Sequence, residues 1–143
     1  MAYITFPCEG KRPLVTEWNT RKETVTHAEG QNYGILCGAF NNLLVIDCDL
    51  IKESEDSKKY MCGVEAWNLL KLALCLSKKI PTVRTKNGGL HLYFKYSDKL
   101  PSGIQRASGE FFGFPEKIVK IDILSDKKFR CRCWFKWLYL DRR

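Results

Sequence analysis

The most apolar strand-like run of the chain is Leu43-Leu44-Val45-Ile46-Asp47-Cys48-Asp49. Because side chains alternate between the two faces of a strand, Asp47 and Asp49 share one face with Val45. Two carboxylates held together at the end of a buried strand repel each other and lose hydration, which is costly unless a cation or a donor cluster compensates. A bound divalent metal ion is the simplest way to offset this repulsion and loss of hydration. The alternative is that one aspartate caps a turn while the other is solvated.

Composition indicates a single domain with one core of ordinary size. The chain has 143 residues, of which 45% are hydrophobic, and that length suits one core rather than two. No run approaches the roughly 18 uninterrupted apolar residues of a membrane span, and residues 1–7 lack the basic and apolar regions of a signal peptide. We therefore expect an intracellular, cytoplasmic protein with no membrane partner.

The net charge and the spacing of the cysteines indicate which kinds of ligand the protein binds. The formal net charge of +8 favours polyanions such as nucleic acid or nucleotides. The seven cysteines are scattered along the chain without the C-x-x-C spacing of a zinc site, which favours free thiols in a reducing compartment. Even Cys131 and Cys133, which alternate on a possible strand, fit packing better than metal binding.

Local patterns predict the elements around the acidic strand. Residues 32–38 read as a strand between glycines, and the turn at Asn41-Asn42 predicts that this strand and the acidic strand are neighbours. Apolar residues at helical spacing predict a helix over residues 64–76, which Pro81 forbids from continuing.

The second half of the chain is predicted to be mainly strand. Residues 82–85 and 90–96 form a hairpin across Lys86-Asn87-Gly88-Gly89, residues 97–110 form a loop, and residues 117–124 form another apolar strand. The aromatic, basic tail at residues 129–139 fits either a strand or a helix.

Two further polar residues interrupt these apolar strands. Asp122 lies on the face opposite to Val119 and Ile121, while His91 lies opposite to the core-facing stripe of its own strand. If the three strands share one sheet with these faces aligned, the polar side chains converge on a metal and phosphate site. The converging residues are Asp47, Asp49, Asp122, His91 and Lys120. The glycines Gly88 and Gly89 let the backbone approach a ligand closely.

Four segments also carry a family resemblance. They are Asn32-Tyr33-Gly34-Ile35-Leu36-Cys37-Gly38, Val45-Ile46-Asp47-Cys48-Asp49, Pro81-Thr82-Val83-Arg84-Thr85-Lys86-Asn87-Gly88-Gly89-Leu90-His91-Leu92-Tyr93-Phe94 and Ile121-Asp122-Ile123. In order and spacing they resemble the N-terminal domain of bifunctional DNA primase/polymerases, in the archaeo-eukaryotic primase superfamily, many of whose members come from viruses and plasmids. The resemblance covers about residues 10–124. Lys11-x-Pro13 and Trp18 also resemble the N-terminal signature of that family.

The resemblance implies an α+β fold, a primase core in which an RRM-like antiparallel or mixed sheet packs beside a small N-terminal αβ unit. It implies that Asp47, Asp49 and Asp122 bind catalytic Mg²⁺ or Mn²⁺ and that His91 binds the incoming nucleotide. Arg84 and Lys86 are candidates for contact with triphosphate or template, and a solvated role suits them equally well. Gly88, Gly89 and Lys120 complete the predicted nucleotide-binding set.

We therefore interpret residues 1–143 as one catalytic-type primase/polymerase domain. Its implied partners are a single-stranded DNA template, nucleoside triphosphates and a replicative helicase or other replication protein, at a viral replication site if the source is viral. The family usually continues beyond the third acidic motif with a glycine-containing strand and a proline-rich segment, whereas this chain has the atypical tail at residues 125–143.

Two alternatives to template-directed nucleotidyl transfer stay open. One is a catalytically silent nucleic-acid-binding or interaction remnant of a primase, which would bind single strands without needing a metal. The other is a two-metal nuclease, which uses similar carboxylates and leaves His91 in its Gly-Gly hairpin unexplained.

Overall fold

The computed structural model describes residues 3–76, 79–100, 104–126 and 129–132. One α-helix and ten strands are found there, together with 3₁₀ turns at Trp18–Thr20, Ala39–Asn41 and Gly109–Phe112. The strands are β1 (Thr5–Glu9), β2 (Arg12–Pro13), β3 (Tyr33–Leu36), β4 (Leu44–Cys48), β5 (Tyr60–Met61), β6 (Thr82–Arg84), β7 (Leu90–Phe94), β8 (Ile104–Ser108), β9 (Ile118–Leu124) and β10 (Phe129–Arg132), and the helix is α1 (Gly63–Ala73). The fold class is α+β, as predicted.

The strands form two sheets. The larger has the order β5-β9-β4-β7-β6, with β8 also paired to β9, and the smaller has the order β10-β3-β1-β2. All pairs are antiparallel except β5 with β9. The acidic strand β4 therefore lies inside the larger sheet, with hydrogen-bonded neighbours on both sides, which gives its side chains fixed positions.

Helix α1 covers one face of the larger sheet. Its Ala66 and Trp67 pack against Cys48, Leu92 and Ile121 of that sheet, and the removal of Leu92 and Ile121 from water contributes about 1.5–3 kcal/mol each. The helix ends at Ala73, three residues before the predicted end. Cys75 has a φ of 47°, a left-handed conformation that does not continue a helix.

The smaller sheet covers part of the opposite face. Ile35 of β3 packs against Val45 and Leu124 of the larger sheet, together with Cys37 and Leu43. On β4 this apolar contact stops at Val45, and the next residues on the same face are Asp47, which is buried, and Asp49, which is exposed. The structure therefore leaves one end of this face for polar side chains.

Two predictions about the strands were wrong. The predicted pairing of residues 32–38 with β4 is limited to one bridge between Gly38 and Leu43, because β3 belongs to the smaller sheet. The side chain of Asn41 ties the intervening turn to that sheet, since its Oδ1 accepts from the Ile4 backbone N–H at 2.7 Å and its Nδ2 donates to the Leu36 carbonyl at 2.8 Å. The predicted loop at residues 97–110 contains β8, which pairs with the outer edge of β9.

Other expectations have mixed outcomes. Strands at 82–84, 90–94 and 118–124 and the β6–β7 hairpin are confirmed. The tail forms β10 at its start, while residues 133–143 lie outside the described residues.

In the described part of the chain before β4, the helical structure is limited to 3₁₀ turns, so the α-helix expected in the small N-terminal unit is not found there. The free thiols include Cys48, Cys62 and Cys75. Within the described residues, no helix has the length and apolar character to span a membrane.

Candidate active site

Three adjacent strands place an acid, a second acid and a histidine in one row. Asp47 on β4 is directly opposite Asp122 on β9 and directly opposite His91 on β7. Directly opposed residues of antiparallel strands point to the same face, so the predicted alignment of these three residues is confirmed. Asp49 follows on the same face and is exposed. This face is the one that helix α1 does not cover.

His91 is buried in this row. Its Nε2 lies 3.3 Å from Oδ1 of Asp47, and the two residues are 5% and 4% exposed. Burial lowers the pKa of His91 to about 4, the charge of Asp49 opposes that shift, and Lys11 in the β1–β2 turn adds to it. The ring is therefore a neutral imidazole at neutral pH. His91 faces away from the core beneath α1, as predicted, and it is nevertheless enclosed by protein.

Asp122 has a basic neighbour that sequence reasoning missed. Arg106 of β8 is paired with Asp122 in the β8–β9 register, and its Nε lies 3.3 Å from Asp122 Oδ1. The side chains of Arg106 and Asp122 are 73% and 33% exposed, so solvent screens this ion pair. No pattern in residues 97–110 indicated a strand, and only the pairing with β9 brings Arg106 to the site.

Lys120 lies on the same face and is fixed by two contacts. Its Nζ donates to Oε1 of Glu55 at 2.7 Å and lies 5.2 Å from the centre of the Tyr60 ring. The hydrogen bond from Lys120 lowers the pKa of the Glu55 carboxyl, with the Lys52 backbone N–H adding to the effect. Glu55 and Tyr60 come from the segment between β4 and α1, and no sequence pattern indicated their role.

The glycines keep space free beside Asp49. A Cβ atom on Gly89 would lie 2.7 Å from the Cys48 carbonyl oxygen and 3.4 Å from Asp49 Oδ1. Gly88 has a φ of +87°, which favours glycine, and a Cβ there would lie 3.0 Å from a Leu50 methyl carbon. The absence of side chains at both positions allows the turn to pass close to the end of β4.

A small cavity opens next to the carboxylates, with a volume of about 260 Å³. Both acidic and basic side chains line it. The lining residues are Asp49, Glu55, Tyr60, Arg106, Ile118, Val119, Lys120 and Asp122.

The remaining predicted residues lie further from this row. Arg84 is opposite Leu90, on the face that α1 covers, and is exposed. Lys86 is exposed in the β6–β7 turn. A nucleotide contact by either residue stays a prediction, and the register does not bring Arg84 to the carboxylates.

The acidic row offers the type of donor atom that a hard divalent cation prefers. Mg²⁺ and Mn²⁺ take carboxylate oxygens as ligands, and opposed residues such as Asp47 and Asp122 have Cα atoms about 4.5–5.5 Å apart. In the described part of the chain, no group of three or more His, Cys, Asp and Glu side chains is gathered to hold a metal ion. Asp47 instead contacts His91, and Asp122 contacts Arg106.

The fold and the site together define an α+β domain with an acidic site on one face of its larger sheet. A protein-family model for bifunctional DNA primase/polymerase, N-terminal (Prim-Pol), matches residues 2–133. The chain therefore belongs to the Prim-Pol family, in agreement with the resemblance in the sequence. A search among curated proteins found no significant match.

Proposed function

We propose that this protein is a DNA primase/polymerase that transfers nucleotides from nucleoside triphosphates to a growing strand on a single-stranded template. The observation that carries the proposal is the row of Asp122, Asp47 and His91 across β9, β4 and β7, with Asp49 beside it. Membership of the Prim-Pol family supports the same reaction class. In this proposal the larger sheet with α1 is the RRM-like half of a primase core.

The three aspartates would hold Mg²⁺ or Mn²⁺ at this face. The bound ions would lower the pKa of the primer hydroxyl and neutralise charge on the departing pyrophosphate. Asp49 is exposed and lines the cavity, so it is open to an incoming ligand, whereas Asp47 is enclosed and is positioned by its neighbours on both sides.

His91 would contact the triphosphate as a neutral donor. Because burial keeps the ring uncharged, a ring N–H can donate a hydrogen bond to a phosphate oxygen without a change in protonation. Gly88 and Gly89 would let the backbone of the turn approach the nucleotide, and Lys120, which lines the cavity, would supply positive charge there.

The test is incorporation of labelled nucleotide on a single-stranded template, with and without a primer, in Mg²⁺ and in Mn²⁺. Wild type is compared with Asp49→Asn and Asp122→Asn, and Asp98→Asn is the control because Asp98 is exposed in a loop and does not line the cavity. Loss of a metal-binding carboxylate should lower the rate by about a hundredfold or more, while the control should match wild type. Wild-type rates in the two site variants would contradict the proposal.

Two outcomes would favour the other functions. A well-folded wild type that binds single strands but incorporates no nucleotide, in either metal, would favour the catalytically silent remnant. Cleavage of labelled DNA in the absence of nucleotides, lost in Asp49→Asn, would favour the nuclease.

A further inference from the structure

Two positively charged side chains, Lys120 and Arg106, line the cavity beside the carboxylates. They differ in how firmly their neighbours hold them. Lys120 lies 2.7 Å from Glu55 and beside the Tyr60 ring, with only 17% of its side chain exposed. Its charge is matched by a carboxylate outside the row of aspartates. Lys120 is therefore held by a carboxylate other than Asp49 and Asp122.

Arg106 is held much more loosely. Its side chain is 73% exposed, and its Nε contacts Asp122 at 3.3 Å. Exposed ion pairs contribute little to stability, so this contact can be exchanged for another at little cost. A guanidinium also presents several N–H donors in a fork that matches the oxygens of a phosphate.

The same carboxylate is proposed to hold a divalent cation. A cation on Asp122 neutralises the charge that attracts the guanidinium, so the two compete for this residue. Once displaced, the Arg106 side chain remains at the rim of the cavity because β8 pairs with β9 at this point. A nucleoside triphosphate that arrives with the cation brings phosphate oxygens to the same place.

We propose that Arg106 is a phosphate-binding residue for the incoming nucleoside triphosphate, and that in the nucleotide-free protein its guanidinium occupies Asp122 in place of the cation. Binding then exchanges one partner of Arg106 for another, from a carboxylate to a phosphate. The proposal rests on the proposed function, because it takes the acidic row as the site of the cation and the nucleotide.

Two binding measurements without a template test this exchange. The first follows Mn²⁺ alone by electron paramagnetic resonance, and the second follows fluorescent mant-dATP and mant-ATP in Mg²⁺. Arg106→Ala removes the competitor for Asp122, so its Kd for Mn²⁺ should fall about two- to fivefold. The same variant loses the phosphate contact, so its Kd for the nucleotides should rise about tenfold. A residue that only supports β8 would not move the two affinities in opposite directions.

Two further variants complete the experiment. Arg106→Lys keeps the charge and loses the fork, so we expect a nucleotide Kd about threefold above wild type; this variant carries the test if Arg106→Ala does not fold. Lys95→Ala, which removes an exposed charge from a residue that does not line the cavity, should leave both affinities unchanged. Circular dichroism and thermal melting check folding.

Three results would overturn the proposal. Equal affinities in wild type and Arg106→Ala, or a loss of both affinities in a folded variant, would remove Arg106 from the nucleotide site while the proposed function stands. A folded wild type that binds neither Mn²⁺ nor nucleotide would overturn the proposed function and this proposal with it.

Discussion

Asp47 and His91 face each other across β4 and β7, with 3.3 Å between Oδ1 and Nε2, and both side chains are buried. Burial, rather than a single neighbour, is the main reason that the pKa of His91 falls to about 4. A carboxylate beside an imidazole usually favours the charged ring, so here the loss of hydration outweighs the attraction. The site therefore holds a neutral hydrogen-bond donor next to its acids.

The low pKa of His91 predicts a loss of stability in mild acid. Between the unfolded pKa of 6.5 and the folded pKa of about 4, the unfolded chain binds a proton that the folded protein does not. Stability therefore falls as the pH is lowered through this window, by up to about 3 kcal/mol, and His91 has no such effect above pH 6.5. Urea unfolding in the presence of EDTA, measured at intervals from pH 7 to pH 4, gives the free energy of unfolding.

His91→Gln isolates this contribution from other titrating groups. Gln keeps hydrogen-bonding capacity and does not titrate, so the free energy of unfolding of the variant should fall less steeply below pH 6.5. If the free energy of unfolding falls equally with pH in wild type and His91→Gln, protonation of His91 does not destabilise the folded protein and the prediction is wrong.

The turn after β6 gives a second prediction. In Gly89→Ala the new Cβ would lie 2.7 Å from the Cys48 carbonyl oxygen, which is part of the backbone and cannot rotate away. The turn must shift, and we expect a loss of about 1–3 kcal/mol in the free energy of unfolding. Because Asp49 Oδ1 lies 3.4 Å from the same Cβ position, nucleotide incorporation should fall as well.

Asn87→Ala is the matched control for Gly89→Ala. Asn87 is exposed in the same turn, so its variant should keep wild-type incorporation and change the free energy of unfolding by less than about 0.5 kcal/mol. Urea unfolding and primer extension on the three proteins give both quantities. If Gly89→Ala is as stable and as active as Asn87→Ala, the close approach at Gly89 has no importance for the site.

The acidic row could be predicted from the sequence because its signal is local. In β4, β7 and β9 the apolar residues that pack beneath α1 alternate with the polar ones, so the period of two fixed which side chains share a face. Asp122 and His91 were visible because each interrupts an otherwise apolar strand. That these strands share one sheet with aligned faces was a condition of the prediction, and the β4–β7 and β4–β9 registers meet it.

The basic side of the site could not be predicted, because it depends on contacts between distant segments. Arg106 reaches Asp122 only through the β8–β9 pairing, and Glu55 reaches Lys120 from 65 residues away in the chain. The division of β3 and β4 between two sheets has a similar origin. The hydrogen bonds of Asn41 with Ile4 and Leu36 hold the turn against the smaller sheet. A turn pattern in the sequence does not indicate which sheet the next strand joins.

The net charge of +8 predicts salt-sensitive binding of single-stranded DNA. If about four phosphates are contacted, the association constant should fall about 50-fold between 50 and 200 mM salt. Fluorescence anisotropy of a labelled oligonucleotide in EDTA measures this binding. Asp49→Asn removes a negative charge from the cavity, so it should bind the strand at least as tightly as wild type while it loses incorporation.

The DNA-binding and incorporation measurements on Asp49→Asn together distinguish template binding from nucleotide transfer. If binding is intact without metal and incorporation requires both metal and Asp49, residues outside the acidic row hold the strand and the acidic row carries out the transfer. If instead DNA binding in Asp49→Asn weakens as much as its incorporation does, the aspartate contributes to the structure that holds the strand, and loss of activity in that variant no longer argues for metal binding. The anisotropy measurement therefore decides how the incorporation experiment is read.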